Sequence, residues 1–263
     1  MRIAICAKRD IYGLLAARSL SAKLGSAELR FFCSVKTRQN EDEVHALRLM
    51  KLLERDVPMD TLAAMGPPPP GLPHPDAWTA LHDMRVDGGA ASLLEFRPDI
   101  VISVRFSLIF PQCVIDAVPR GIINVHPGAL PGYRGLFAPF WQVLRGEPEL
   151  GCTVHLVDRG IDTGAILGMA RVPFNPSRSL MWHTAGLYRS GVAIAADVAT
   201  TLAHGGQPAS VPQQAGGAYF RFPTAADFMA LSVPIATALD YAEVLQEAFA
   251  PLSGQYVGPP DNP

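Results

Sequence analysis

The chain has 263 residues, of which 49% are hydrophobic and 17% charged, so a disordered or fibrous protein is excluded. The formal net charge of -2 gives no electrostatic reason to expect a nucleic-acid or membrane partner, and we expect a small-molecule substrate. The sequence contains neither an apolar run long enough to span a membrane nor a secretory leader. Its four cysteines are widely separated. These features predict a soluble protein of the reducing cytoplasm without a metal site.

Short apolar segments alternate with helix-like segments through most of the chain, a pattern typical of a parallel sheet covered by helices. Several of the apolar segments lack alternation, as buried central strands do. The fold class predicted is therefore α/β, with a doubly wound, Rossmann-like, mostly parallel sheet. The predicted helix is Tyr12–Leu24, and the predicted strands are Ile3–Cys6, Leu29–Val35, Asp99–Val104, Gly121–Val125, Gly151–Val157 and Ala165–Val172.

Two segments differ in composition from this pattern. Residues 66–75 (GPPPPGLPHP) are predicted to connect a strand-like segment to a helix capped by Asp76, because proline interrupts helices and central strands; the alternative is a long functional loop. Residues 204–263 begin with a Gly-, Pro- and Gln-rich stretch, which favours a domain at 1–203 followed by a short C-terminal extension, formed by an edge strand or by a hairpin plus a helix. Within the extension, residues 219–222 are predicted to form an edge strand that packs on the domain or on a second subunit, which makes a homodimer a candidate assembly.

The stretch NVHPGALPGYRG, residues 124–135, combines polar side chains with a stiff loop. Pro127 favours an extended His126, so the preceding strand ends at the carboxyl edge where open α/β sheets bind ligands. Asn124 and His126 are two residues apart on this strand and share a face. An amide and a protonated imidazole are both donors that can stabilise negative charge on a carbonyl oxygen during acyl transfer.

A second stretch, GCTVHLVDRGIDTG at residues 151–164, runs from a strand into an acidic loop. Asp158 and Asp162 both have the chemistry to accept a proton from an attacking amine or to orient His126, and the residues alone leave that choice open. Gly160 and Gly164 are expected to allow unusual backbone angles around Asp162. His155, which alternates with apolar neighbours, is interpreted as a structural histidine with its hydrogen bonds satisfied.

The two stretches resemble the folate-dependent formyltransferase family through the motifs N-x-H-P-x-x-L-P-x-Y-R-G and T-V-H-x-x-D-x-G-I-D-T-G. The resemblance is strong over about residues 95–175 and weak in the last 60. It implies that Asn124, His126 and Asp162 are catalytic and that N10-formyltetrahydrofolate donates the formyl group. Asn124 and His126 would stabilise the oxyanion, and Asp162 would tune His126 and help to remove the amine proton.

The resemblance also implies a folate site held largely by backbone groups. The expected cofactor-binding residues are Phe106, Ser107, Leu108 and Ile109 after one strand, with Val157, Asp158, Gly160 and Ile161 closing the other side. The end of the first strand is where a substrate phosphate or carboxylate could approach a helix N-terminus. The expected substrate-binding residues are Lys8, Arg9, Tyr12 and Arg105.

The resulting functional prediction is an N-formyltransferase that acts on a primary amine of a small molecule, with a nucleotide-linked amino sugar preferred. The alternatives are a hydroxyornithine-like amine, hydrolysis of formyltetrahydrofolate, and a non-catalytic folate-binding protein. A tRNA substrate is disfavoured by the acidic charge balance and the short C-terminal segment.

Overall fold

The computed structural model describes residues 1–35, 44–65 and 74–250. Its centre is a seven-stranded sheet in the order β3-β2-β1-β4-β5-β7-β8, in which β7 is antiparallel to both of its neighbours and the other pairs are parallel. The strands of this sheet are β1 (Arg2–Lys8), β2 (Glu28–Ser34), β3 (Thr79–Leu81), β4 (Ile100–Val104), β5 (Ile122–His126), β7 (Glu149–Leu156) and β8 (Ile166–Pro173). A separate parallel pair joins β6 (Tyr133–Gly135) to β9 (Ala218–Phe220).

Helices cover both faces of the sheet. Alternate side chains of β1 enter different hydrophobic cores, with Ile3 and Ile5 on one face and Ala4 and Cys6 on the other. The helices are α1 (Ile11–Lys23), α2 (His45–Lys51), α3 (Val57–Ala64), α4 (Gly89–Glu95), α5 (Gln112–Ala117), α6 (Ala138–Leu144), α7 (Leu180–Ala203), α8 (Ala225–Met229) and α9 (Ala238–Phe249), with a π-helical turn at Leu52–Asp56 and a 3-10 turn at Pro75–Ala77.

The central strand β4 shows why the sheet is recognisable from sequence. All five of its residues are buried, because helices cover it from both sides and neighbouring strands flank it. The six predicted strands and the predicted helix are all present, with ends displaced by at most two residues. The predicted α/β, mostly parallel sheet is confirmed.

The prediction around the proline-rich stretch was wrong in its flanking elements. Residues 66–73 lie outside the described part of the chain, but the helix α3 precedes them where a strand-like segment was expected. After them, His74 caps a single 3-10 turn, and the chain then enters β3 rather than a helix capped by Asp76. The short edge strand β3 was missed because its three residues carry too little pattern.

The C-terminal extension packs on the domain in the residues that the structure describes. Helix α7 ends at Ala203, Val211 forms an antiparallel bridge with Ile166, and β9 pairs with β6 of the same chain. Dividing the chain into domains at 203/204 stays a prediction. None of the helices in the described ranges has the length and apolarity needed to cross a membrane.

Candidate active site

A cavity of about 350 Å³ opens at the carboxyl ends of β1, β4 and β5. Because these three strands are parallel neighbours, Lys8, Arg105 and His126 lie side by side along one sheet edge. All three predicted catalytic residues and all eight predicted cofactor-binding residues line this cavity.

His126 is the last residue of β5 and has a neighbour at each ring nitrogen. Its Nε2 donates to the carbonyl oxygen of Tyr133 at 2.6 Å, and its Nδ1 lies 3.6 Å from Asp162 Oδ1. Burial lowers the pKa of His126, while the Asp162 charge and the Tyr133 hydrogen bond oppose that shift. The ring is therefore poised as a neutral imidazole with Nδ1 directed to the Asp162 side.

Asn124 is held by His155, which the sequence interpretation treated as purely structural. His155 Nδ1 donates to the carbonyl oxygen of Leu156 at 2.7 Å, so its Nε2 is an acceptor and takes a hydrogen bond from Asn124 Nδ2 at 3.1 Å. His155 Nε2 also lies 3.6 Å from Asp162 Oδ1. That interpretation was incomplete, since His155 orients one predicted catalytic group and contacts another.

Asp162 lies in the loop after β7 with a backbone φ of 55°, in the left-handed region. Its Oδ2 accepts a hydrogen bond from the Gly135 amide at 2.8 Å. Burial raises the pKa of Asp162, but Coulombic attraction to His126 in its protonated form, the contact with His155 and the Gly135 bond outweigh this and lower the pKa to about 2. Asp162 is therefore an ionised carboxylate facing two histidines.

Asp158 has a different environment from Asp162. Its Oδ1 accepts hydrogen bonds from the Gly160 amide at 3.0 Å and the Thr163 hydroxyl at 2.6 Å, so it folds its own loop. The geometry thus favours Asp162 as the partner of His126, a choice that the residues alone left open.

The glycines of this loop serve a purpose other than the one expected. The left-handed φ belongs to Asp162 itself, and neither Gly160 nor Gly164 has a positive φ. A Cβ on Gly164 would lie 1.8 Å from the carbonyl oxygen of Leu156, and one on Gly160 would lie 2.0 Å from Thr163 Oγ1. Both glycines are needed for close approach inside the loop.

The four predicted substrate-binding residues separate into two groups. Lys8 and Arg105 line the cavity, whereas Arg9 pairs with Asp76 and Tyr12 is buried, its hydroxyl 3.3 Å from Glu54. The expected anion site at the N-terminus of α1 is already filled, because the Asp10 side chain accepts the Gly13 amide at 2.9 Å.

Other cavity-lining residues were not singled out as site residues from the sequence. Apart from Ser103 on β4, they come from helices and from the extension, whose approach to the cavity depends on tertiary packing and leaves no local signal. They include Met50, Glu54, Ser103, Thr184, Tyr188, Tyr219 and Phe222. Within residues 1–35, 44–65 and 74–250, no group of three or more His, Cys, Asp or Glu side chains could hold a metal ion.

Comparison with known proteins agrees with this site. Residues 56–184 match the family described as formyl transferase, a range that contains both sequence motifs. The methionyl-tRNA formyltransferase of Pelobacter propionicus is 33% identical over 100 residues, which are 38% of this chain but only 31% of that protein. The family match confirms the resemblance to the formyltransferase family that the two motifs predict.

Two solved structures share the fold over nearly the whole chain. A sugar N-formyltransferase from a Shewanella species has 19% identity and a TM-score of 0.57, covering 96% of this chain and 89% of that one. The formyltransferase PseJ from Anoxybacillus kamchatkensis, in complex with UDP-4,6-dideoxy-4-formamido-L-AltNAc and tetrahydrofolate, has 14% identity and a TM-score of 0.54. That comparison covers 89% of this chain and 96% of PseJ.

Proposed function

We propose that this protein transfers a formyl group from N10-formyltetrahydrofolate to a primary amine of a small molecule. The observation that carries the proposal is the arrangement of Asn124, His126 and Asp162 around one cavity, with His155 touching two of the three. The match of residues 56–184 to the formyl transferase family supports the same reaction class.

Asn124 and His126 have complementary tasks in this reaction. His155 uses one Nδ2 hydrogen of Asn124, which leaves the other to donate to the formyl oxygen as negative charge develops there. As the amine nitrogen bonds to the formyl carbon, His126 Nδ1 takes the amine proton, and Asp162 stabilises the imidazolium. The proton then passes to N10 as the bond between N10 and the formyl carbon breaks, leaving tetrahydrofolate and a formamide.

The donor side of the cavity is assigned to the segments after β4 and β7. Phe106, Ser107, Leu108 and Ile109 form one wall, and the Ser107 amide is fixed by the Ser34 hydroxyl at 3.0 Å. Val157, Asp158, Gly160 and Ile161 form the other. Ile109 and Ile161 are both exposed, at 73% and 43%, which is consistent with an apolar entrance for a ligand with an aromatic body.

A nucleotide-linked amino sugar is the acceptor that we favour. Sugar N-formyltransferases share the fold over almost the full chain, and PseJ binds a UDP-linked sugar. The relatives that act on methionyl-tRNA match only part of their length, and the net charge of -2 gives a tRNA no electrostatic attraction. A hydroxyornithine-like amine is the alternative.

The four free cysteines support a cytoplasmic location, and a homodimer through the extension stays a prediction.

The test is formyl transfer with N10-formyltetrahydrofolate to nucleotide amino sugars, hydroxyornithine and ribonucleotide amines, with the product identified by mass. We expect a formylated amino sugar. Asn124→Ala, His126→Ala and Asp162→Ala should each lower kcat by at least about 100-fold, because each removes an oxyanion donor or a proton-transfer group. All three should keep a cooperative thermal transition.

His204→Ala provides the matched control, since His204 is an exposed histidine at the end of α7. It should retain wild-type turnover. Full activity in any of the three cavity variants would remove that residue from the mechanism, and the absence of any formylated amine would refute the proposed reaction.

A further inference from the structure

A buried carboxylate that the proposed mechanism does not use lines the cavity. The side chain of Glu54 is only 8% exposed, yet it borders the cavity together with Lys8, Arg105 and Tyr188. Its Oε2 accepts from Arg105 Nη2 at 2.5 Å, and Arg105 Nε donates to Asp10 Oδ2 at 2.5 Å. We call Asp10, Glu54 and Arg105 the inner cluster.

The chain reaches this position through an irregular helix. Glu54 lies in the π-helical turn Leu52–Asp56, four residues before Pro58. Proline has no N–H for the carbonyl of the residue four positions earlier and clashes with it in a regular helix, so a widened turn accommodates it. π-helical turns of this kind occur frequently at functional sites. The turn directs a charged side chain inward where a regular helical surface would keep it in water.

Glu54 retains hydrogen-bonding capacity toward the cavity. An ionised carboxylate has about four acceptor positions. The contacts with Arg105 and with the Tyr12 hydroxyl, at 3.3 Å, occupy two of them. Arg105 holds both carboxylates of the inner cluster in place through its Nε and Nη2. The remaining acceptor positions belong to Glu54, so a ligand group that meets Glu54 must supply a donor.

The charge of the inner cluster disfavours an anionic ligand group. Two carboxylates and one guanidinium sum to -1, and Lys8, which also lines the cavity, brings the total only to zero, so there is no surplus positive charge for an anion. Asp10 already fills the N-terminus of α1, the usual phosphate position. A phosphate or carboxylate of the acceptor is therefore better placed at the cavity entrance, and a neutral group with O–H donors suits the inner end.

The inner cluster is also close to the reacting groups. Val104 and Val125 are register partners of adjacent parallel strands, so Arg105 and His126 follow them side by side, with the strands about 4.8 Å apart. Glu54 and His126 line the same cavity of about 350 Å³, so a single ligand in this cavity can meet both.

We propose that Glu54 recognises the acceptor by accepting a hydrogen bond from a hydroxyl group next to the reacting amine. The acceptor class is then a hydroxylated amine, as in an amino sugar ring, with any phosphate outside the inner end. Glu54 acts as a specificity-determining residue. This inference rests on the proposed function for the identity of the reacting amine, but its test does not depend on turnover.

The test is calorimetric binding in the presence of tetrahydrofolate. The probes are UDP-4-amino-4,6-dideoxy-L-AltNAc, the amine counterpart of the ligand in PseJ, and its 3-deoxy analogue, which lacks the hydroxyl beside the amine. Wild type should bind the first probe about 10- to 100-fold more tightly, the range for a hydrogen bond to a charged group. Glu54→Gln should lose this preference, and Glu54→Asp should keep part of it.

Asp240→Asn is the matched control. Asp240 is another buried carboxylate that pairs with an arginine, Arg178, at 3.1 Å, and it is not among the residues that line the cavity. This variant should discriminate between the probes as wild type does. The comparison of the two probes on wild type requires no substitution, so it remains decisive if Glu54→Gln fails to fold.

The inference is overturned if wild type does not bind the sugar, binds both probes equally, or prefers ornithine, an amine without a hydroxyl group. It is also overturned if Glu54→Gln folds and still discriminates. Binding through Glu54 without any formylated product would contradict the proposed function and leave the recognition site standing. Formylation of the sugar with equal affinity for both probes would overturn recognition through Glu54 and leave the proposed function standing.

Discussion

At the scale of single residues, the site depends on which nitrogen of each histidine carries the proton. His155 is fixed as an acceptor toward Asn124 because its other nitrogen donates to the Leu156 carbonyl. His126 is fixed in the opposite sense, since its Nε2 donates to Tyr133 and its Nδ1 faces Asp162. His155 thus orients Asn124, the predicted oxyanion donor, while His126 keeps a nitrogen that can take a proton.

The protonation of His126 should respond to Asp162 in a defined direction. Burial holds the pKa of His126 below its ordinary value of about 6.5, so the ring should titrate below that pH in an NMR experiment. Asp162→Asn removes the charge that opposes this shift, and the pKa of His126 should fall further. Assignment of the signal rests on its loss in His126→Asn.

Two results would contradict this account of the His126–Asp162 pair. One is a His126 ring that titrates at or above 6.5 in wild type. The other is a pKa that rises in Asp162→Asn, because removal of a nearby negative charge can only disfavour the imidazolium.

The motifs indicated Asn124, His126 and Asp162 from the sequence, but the sequence did not reveal the role of His155. Along its own strand, His155 alternates with apolar residues and reads as a structural histidine. Its role follows from an antiparallel pairing in which Asn124 and His155 are direct register partners, so their side chains leave the same face. Local periodicity cannot predict which strands are neighbours.

At the scale of elements, helix α7 packs closely on the sheet at a position occupied by a glycine. A Cβ on Gly191 would lie 2.4 Å from Cys152 Sγ on β7 and 2.6 Å from Val125 Cγ1 on β5. Since β5 ends at His126, the approach of α7 at Gly191 also supports the strand that carries the predicted catalytic residues.

Gly191→Ala should therefore destabilise the protein although alanine favours helices. Overpacking costs about 1–3 kcal/mol, which exceeds the helix-propensity gain of about 1 kcal/mol. Gly186→Ala on the same helix meets no atom within 4 Å and should stabilise by about 0.5–1 kcal/mol. Urea unfolding of both variants measures the difference, and changes of the same sign would argue against a steric role for Gly191.

Elements with strong periodicity were predictable and those defined by their partners were not. The buried strands of the main sheet have continuous apolar runs, whereas β3, β6 and β9 have three residues each and exist through pairing with distant segments. The same holds for the π-helical turn that places Glu54 at the cavity. Pro58, which accounts for the widened turn, is visible in the sequence, but the side to which the turn presents Glu54 depends on the packing of α2 and α3.

At the scale of the whole molecule, the C-terminal extension is attached to the Asp162 loop. Gln213 Nε2 donates to the carbonyl oxygens of Asp162 and Gly164, at 3.1 Å and 2.7 Å. The pairing of β9 with β6 supports the same loop from its other side, because the Gly135 amide at the end of β6 binds Asp162 Oδ2. The extension thus holds the backbone and the carboxylate of one predicted catalytic residue.

Gln213→Ala should consequently lower kcat through Asp162. Loss of two neutral hydrogen bonds, at about 1 kcal/mol each, frees the loop backbone, and we expect kcat to fall about 2- to 10-fold and the melting temperature to fall by a few degrees. The exposed neighbour Gln214 supplies the control variant Gln214→Ala, which should keep wild-type kcat. In an Asp162→Asn background, Gln213→Ala should reduce the residual rate no further, because both changes act on one group. Independent, multiplicative losses would mean that the extension affects turnover by another route.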